Sequence, residues 1–123
     1  MEEKYKILIV DDEQSILDML KLQLEFEGYS VYTAGNAAEA LDKLSNCPDI
    51  ILLDIMMPQM NGLEVLEKIK EKNENQKVIM MTAYSTLDKV LKSHKEGATN
   101  YVMKPFDSLQ HLEKKIIDIL EKH

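Results

Sequence analysis

Residues that could bind a cation or a phosphoryl group follow four of the short apolar runs in this sequence. Asp11 and Asp12 come after the first run, Asp54 after the third, Thr82 after the fourth and Lys104 after the fifth. Three carboxylates that lie close together cannot all stay ionised without a compensating charge, and one lysine is too little. Oxygen ligands without a nearby His or Cys favour a hard cation such as Mg²⁺ over zinc. The chemistry indicated is phosphoryl transfer onto an aspartate.

The same five residues also have an ordinary structural explanation. Asp and Thr often follow strands simply because they cap helices and form turns. That explanation serves for any one of the five, but it does not account for all of them meeting at one edge of a sheet.

The apolar runs predict the strands of a parallel sheet. Three of them are continuously apolar at their centres and rich in Ile, Leu and Val, which is typical of strands buried on both faces. Because every strand of a parallel sheet ends at the same edge, the polar residues above are brought together there. The predicted strands are Lys6 to Val10, Ser30 to Ala34, Asp49 to Leu53, Lys77 to Met81 and Asn100 to Met103.

The segments between the runs have helical periodicity and recognisable ends. Asn36 followed by Glu39 has the spacing of a capping box, and Ser85 followed by Asp88 has the same spacing. Gly28 stands where a helix should stop. Strand and helix alternate five times, which predicts an α/β fold with a doubly wound five-stranded parallel sheet and five helices on both faces.

Length and composition exclude several classes of protein. The 123 residues fit one domain, 1–123, and 45% apolar with 30% charged residues is typical of a globular protein. No apolar run is long enough to cross a membrane, and the N-terminus has no secretion signal, so a cytoplasmic protein is expected. Cys47 is the only cysteine, which excludes a disulfide framework. A net charge of −7 without any arginine argues against direct nucleic-acid binding.

Four groups of residues together resemble the receiver domain of two-component response regulators, of the chemotaxis-regulator type. The resemblance runs from Lys6 to about Leu120. It implies the flavodoxin-like strand order 2-1-3-4-5. The groups are Val10-Asp11-Asp12-Glu13, Asp54-Ile55-Met56-Met57-Pro58 up to Gly62, Thr82-Ala83-Tyr84, and Gly97-Ala98 with Tyr101 and Lys104-Pro105-Phe106.

The resemblance assigns the phosphoacceptor and the metal ligands. Asp54 would take a phosphoryl group from a histidine of a sensor kinase. Asp11 and Asp12 would hold Mg²⁺, for which Mn²⁺ can substitute, together with Asp54 and the backbone carbonyl of Met56. Such a protein catalyses its own phosphorylation and slow dephosphorylation without being a conventional enzyme.

The resemblance also implies a switch. Lys104 and Thr82 would bind phosphoryl oxygens, and Tyr101 would turn inward when Thr82 moves. The altered conformation would signal through protein–protein contact, or the phosphoryl group would pass onward in a phosphorelay.

The first predicted helix, Gln14 to Glu27, carries more apolar residues than its buried face needs. Leu17, Leu20 and Leu24 share the face expected on the sheet. An apolar stripe on the opposite side indicates a partner surface. By the resemblance it meets a histidine kinase and a histidine phosphotransferase, and the chain is expected to be a monomer. The residues of this predicted partner surface are Ser15, Ile16, Met19, Leu22, Pro105 and Phe106.

Several alternatives remain open from the sequence. The Thr82 and Lys104 stretches resemble those of the sporulation phosphorelay intermediate, but also receivers of enhancer-binding activators, so a receiver fragment of a longer DNA-binding regulator is the main alternative. A phosphate-ester hydrolase is disfavoured because Met56 stands where a second aspartate would be needed, and no Gly-Lys-Ser/Thr loop exists. A flavin binder is compatible with the fold, but the acidic edge opposes an anionic flavin phosphate.

We predict that the phosphoryl group on Asp54 decays slowly. Met56 and Tyr84 stand two residues after Asp54 and Thr82, and neither side chain readily positions an attacking water as an amide or carboxylate does. The substitution Met56→Asn should therefore accelerate loss of the phosphoryl group, measured as the decay of the phosphorylated protein after the donor is removed. An unchanged decay rate would contradict this explanation.

Overall fold

The computed structural model describes residues 5–54, 62–82, 100–103 and 109–121. Five parallel strands form one sheet in the order β2-β1-β3-β4-β5, as expected. The strands are β1 (Lys6–Val10), β2 (Ser30–Ala34), β3 (Ile50–Asp54), β4 (Lys77–Thr82) and β5 (Asn100–Met103).

Four helices lie in the described residues. They are α1 (Gln14–Phe26), α2 (Ala37–Lys43), α3 (Gly62–Lys72) and α4 (Leu109–Glu121), and a turn of 3-10 helix, Leu44–Asn46, follows α2. The predicted capping box of Ser85 with Asp88, and the helix that it would begin, lie outside the described residues. None of the described helices is long and apolar enough to cross a lipid bilayer.

Alternation along the strands divides the core into two layers, one on each face of the sheet. Successive side chains of a strand point to opposite faces, so Leu8 and Ile51 belong to one layer while Ile7 and Ile50 belong to the other. The first layer is closed by α2 and α3. The second is closed by α1 and α4, through Leu17, Leu20, Leu24, Leu112, Ile116 and Leu120. The predicted buried face of α1 is confirmed.

Two strands end one residue later than the sequence analysis predicted. Asp54 is the last residue of β3, where it pairs with Met81, and Thr82 is the last residue of β4, where it pairs with Met103. The predicted third strand, 49–53, is thus shifted by one residue, because the backbone ladder continues through the polar residue that ends the apolar run.

The turns beside β2 have the geometry that their sequences predict. The Asn36 side chain caps α2 by accepting a hydrogen bond from the Glu39 N–H at 2.9 Å, as in a capping box. Its amide also donates to Glu39 Oε1 at 3.4 Å, which joins the two side chains. At the end of α1, the Tyr29 N–H donates to the Leu24 carbonyl and the Gly28 N–H to the Glu25 carbonyl. This is a Schellman motif with Gly28 at a φ of 101°.

The two glycines that flank β2 should respond differently to alanine. Gly28→Ala should lower the free energy of unfolding by about 1 kcal/mol, because an L-residue is strained at this positive φ, although a Cβ there would meet no atom within 4 Å. The matched control is Gly35→Ala, whose Cβ would make only an ordinary contact of 3.7 Å with Glu39 Oε1. Urea denaturation measures both, and equal losses for the two variants would contradict the strain argument.

Candidate functional site

The pairing of β1 with β3 brings two aspartates together at the carboxyl edge of the sheet. Val10, the last residue of β1, is the partner of Leu53. Asp11 follows Val10 and Asp54 follows Leu53, so the two aspartates lie side by side. By the alternation along each strand, both side chains fall on the face that α1 and α4 cover.

One carboxylate oxygen from each of Asp11, Asp12 and Asp54 lies within 4.8 Å of the other two. Asp11 is 0% exposed and Asp54 is 3% exposed, whereas Asp12 is exposed. The cluster therefore has two buried carboxylates and a third at the surface, where solvent and a ligand have access.

Hydrogen bonds from the backbone hold Asp11 in place. Its N–H donates to the Ala34 carbonyl of β2 at 3.1 Å, and its Oδ1 accepts the Glu13 N–H at 3.0 Å. The second bond is an Asx-type turn that leads the chain from β1 into α1. The sequence analysis did not identify the Glu13 backbone amide, although an aspartate two residues before the N-cap of a helix is a recognisable signal for such a turn.

The donor set of this cluster fits a hard divalent cation. All the ligand atoms are carboxylate oxygens, which suit Mg²⁺ or Mn²⁺ better than zinc. Carboxylates that lie this close together are also stabilised by a cation bound among them. Asp11, Asp12 and Asp54 are thus the residues that would hold such an ion.

The other predicted site residues are placed only in part. Thr82 ends β4 next to β3, and Tyr101 lies in β5 opposite Met80. Tyr101 is therefore in the strand that the sequence analysis predicted, whereas Thr82, which was expected to follow the fourth strand, is its last residue. Lys104 and Met56 lie outside the described residues.

The outward side of α1 exposes three of the six residues of the predicted partner surface. Leu22 is 75% exposed and Met19 is 39% exposed, and Ser15 is also exposed. Ile16 is half-buried because it packs against the α1–α4 layer. Pro105 and Phe106 lie outside the described residues.

Comparisons with known proteins agree on one family. A family model described as the response regulator receiver domain matches residues 7–117. Sporulation initiation phosphotransferase F of Bacillus subtilis is 44% identical over 103 residues, which is 83% of this chain and 83% of that protein. The transcriptional regulatory protein YkoG of Bacillus subtilis is 41% identical over 106 residues, 85% of this chain but only 46% of that protein.

A solved structure shows the same fold. The receiver domain protein (CheY-like) from Methanospirillum hungatei superposes with a TM-score of 0.91 at 42% identity, over 97% of this chain and 95% of that chain. The predicted resemblance and fold class are confirmed by these matches.

Repulsion within the carboxylate cluster should lower the thermal stability of the metal-free protein, and this effect should be measurable as a change in Tm. In EDTA, Asp12→Asn should raise the Tm by about 2–4 °C, because it removes one of three neighbouring negative charges. In excess Mg²⁺ the gain should vanish, because a bound cation stabilises the native wild type. Thermal unfolding followed by circular dichroism measures both conditions.

The control is Asp42→Asn, the same change at an exposed position of α2. It should leave the Tm nearly unchanged with and without Mg²⁺. If Asp12→Asn gave no gain in EDTA, the carboxylates would already be compensated within the protein, and the predicted need for a cation would be wrong.

Proposed function

Since this chain belongs to the family of response regulator receiver domains, we propose that it works by accepting a phosphoryl group on the carboxylate of Asp54. The observation that carries this assignment is the cluster of Asp11, Asp12 and Asp54, with ligand oxygens within 4.8 Å of one another. Asp54 is the member that ends the central strand β3.

In the proposed reaction, an Asp54 oxygen attacks the phosphorus of a phosphohistidine. The new bond joins that oxygen to phosphorus, and the bond between phosphorus and the imidazole nitrogen breaks, so the electron pair leaves with the histidine. Asp11 and Asp12 would hold a divalent cation, which when bound would neutralise the charge of the phosphoryl oxygens. Because Asp11 is fixed by the Ala34 carbonyl and the Glu13 N–H, its carboxylate is positioned before the donor arrives.

Three further residues take part in the proposed switch. Thr82 is the last residue of β4, the strand that pairs with β3, and its hydroxyl would bind a phosphoryl oxygen on Asp54. Lys104 follows β5 and supplies an ammonium group to the same oxygens. Tyr101 then changes its position in response to Thr82.

A further cation ligand is proposed besides the three aspartates. It is the backbone carbonyl of Met56.

The proposed partners are a sensor histidine kinase and a histidine phosphotransferase. The relative from Bacillus subtilis with 44% identity is itself named a phosphotransferase of sporulation initiation, which favours a place in a phosphorelay. The exposed side chains of Ser15, Met19 and Leu22 run along α1 from the end that carries Asp11, so a partner bound there approaches the acceptor. Pro105 and Phe106 extend this proposed surface.

A receiver belonging to a longer DNA-binding regulator is the weaker proposal. The match to YkoG is lower in identity, and it covers less than half of that protein. In either case the domain itself has a net charge of −7 and no arginine, so contact with DNA would fall to another part of such a protein.

Intact mass spectrometry tests the acceptor and its metal together. Incubation with acetyl phosphate and Mg²⁺ should add a single phosphoryl group to the wild type. Asp54→Asn should remove the adduct completely, because an amide oxygen is a poor nucleophile for phosphorus. Asp11→Asn should lower the apparent affinity for Mg²⁺ at least about tenfold, because it removes a ligand.

The matched control is Asp42→Asn, which should accept the phosphoryl group as the wild type does. An adduct that survives Asp54→Asn, or forms equally well in EDTA, would contradict the assignment. Steady release of phosphate from acetyl phosphate without an accumulating adduct would instead indicate a hydrolase.

A further inference from the structure

A cavity of about 590 Å³ lies between α2 and α3, beside the amino ends of β3 and β4. Of its lining residues, Pro48 stands two residues before β3, and Gln76 stands directly before β4. Asp54 is at the other end of β3, about 13 Å along the strand from Ile50. The cavity is therefore at the opposite edge of the sheet from the carboxylate cluster, and its volume is in the range of sites that bind small molecules.

The interior of this cavity is apolar. Ile69 of α3 and Pro48 are buried, and Leu41 and Leu44 are half-buried against the α2–α3 core layer. Cys47, by contrast, is exposed, so the cavity is open to solvent on the side where this thiol lies. A ligand can enter there and place an apolar body against the inner side chains.

Gln76 is the one buried polar side chain among the residues that line the cavity, and it is 6% exposed. Its Nε2 donates to the Pro48 carbonyl at 3.2 Å and to the Lys77 carbonyl at 3.3 Å. Because a carbonyl oxygen only accepts, these two bonds fix which end of the amide faces them, and they use both amide protons. Among the described residues, no donor forms a hydrogen bond with Gln76 Oε1. A buried acceptor in this state favours a ligand that supplies a donor.

The turn that presents Gln76 is held by hydrogen bonds of its own. The Lys70 ammonium donates to the carbonyls of Glu74 and Gln76. The Gln76 N–H donates to the Asn73 carbonyl at 3.1 Å, and the Asn75 N–H donates to Asn73 Oδ1, also at 3.1 Å. This wall of the cavity is therefore ordered before a ligand arrives, which lowers the entropic cost of binding.

We propose that this cavity binds a small apolar molecule that carries a hydrogen-bond donor. The apolar body of the ligand lies against Leu41, Leu44 and Ile69, and its N–H or O–H group donates to Gln76 Oε1. The buried oxygen selects this chemical class, because a hydrocarbon, or a molecule with acceptors only, would leave it unpaired. The site is separate from the phosphoacceptor and does not depend on it.

Indole is the probe, since it joins one N–H donor to an apolar ring, and N-methylindole, which lacks the donor, is its matched control. Added to the whole ¹⁵N-labelled chain, indole should shift the amide signals of residues 41–48 and 69–76 saturably, with a Kd of about 1 mM or lower for a ligand of this size. N-methylindole should bind at least about fivefold more weakly. Asp54→Asn should bind indole with unchanged affinity.

Cys47 gives a second readout of the same site. It is exposed and is the only cysteine of the chain, so its alkylation by iodoacetamide can be followed by intact mass without interference. Bound indole should slow this reaction, and the protection should saturate with the Kd that the amide shifts give. N-methylindole should protect only at correspondingly higher concentrations.

Three variants assign the contacts. Gln76→Met removes the acceptor while keeping the length of the side chain, so the preference for indole over N-methylindole should fall from at least about fivefold to near one. Ser45→Trp places a large side chain in the cavity lining and should weaken binding of both probes. Its control is Lys68→Trp, at a position of α3 outside the lining, which should bind as the wild type does. Ser45 and Lys68 are both exposed, so this pair tests the site even if Gln76→Met does not fold.

Three results would overturn the proposal. The first is the absence of saturable shifts up to about 5 mM indole, which would mean that water alone occupies the cavity. The second is equal affinity of the wild type for the two probes, because Gln76 Oε1 would then select nothing. The third is equal weakening by Ser45→Trp and Lys68→Trp, which would place the bound indole elsewhere.

Discussion

The parallel pairing of β1 with β3 is the constraint on which the proposed site depends. It places Val10 beside Leu53, and therefore the next residues, Asp11 and Asp54, side by side at the carboxyl edge. Two buried carboxylates in this arrangement repel each other. A cation bound among the carboxylates would lower that repulsion. The pairing of the strands thus keeps the carboxylates together, in an arrangement that favours cation binding.

The surroundings of the carboxylate cluster fix its two buried members and leave the third accessible to solvent. All five residues of β3 are buried, and the strand pairs on both sides, with β1 and β4. Asp11 is fixed by backbone hydrogen bonds to β2 and to the start of α1. Asp12, by contrast, is exposed. A rigid inner pair and an accessible outer carboxylate suit a site that must exchange its cation and admit a bulky donor.

Much of this architecture is predictable from local sequence, because apolar runs and helix signals report burial directly. The strand positions of Lys6–Val10 and Asn100–Met103, the capping box at Asn36 and the glycine end of α1 are of this kind. The last residues of β3 and β4 were missed because backbone pairing does not require an apolar side chain. The cavity beside Gln76 was also beyond local patterns, since it arises only where α2, α3 and the turn before β4 meet.

The separation of the core into two layers has a consequence for how such a protein can change over time. Among the described residues, the α2–α3 layer and the α1–α4 layer form separate clusters on opposite faces of the sheet, and substitutions without shared contacts have nearly additive effects on stability. The α1–α4 layer can therefore exchange outward side chains, and with them its choice of partners, while the other layer supplies a reserve of stability. Divergence in signalling specificity is then largely uncoupled from the requirement to fold.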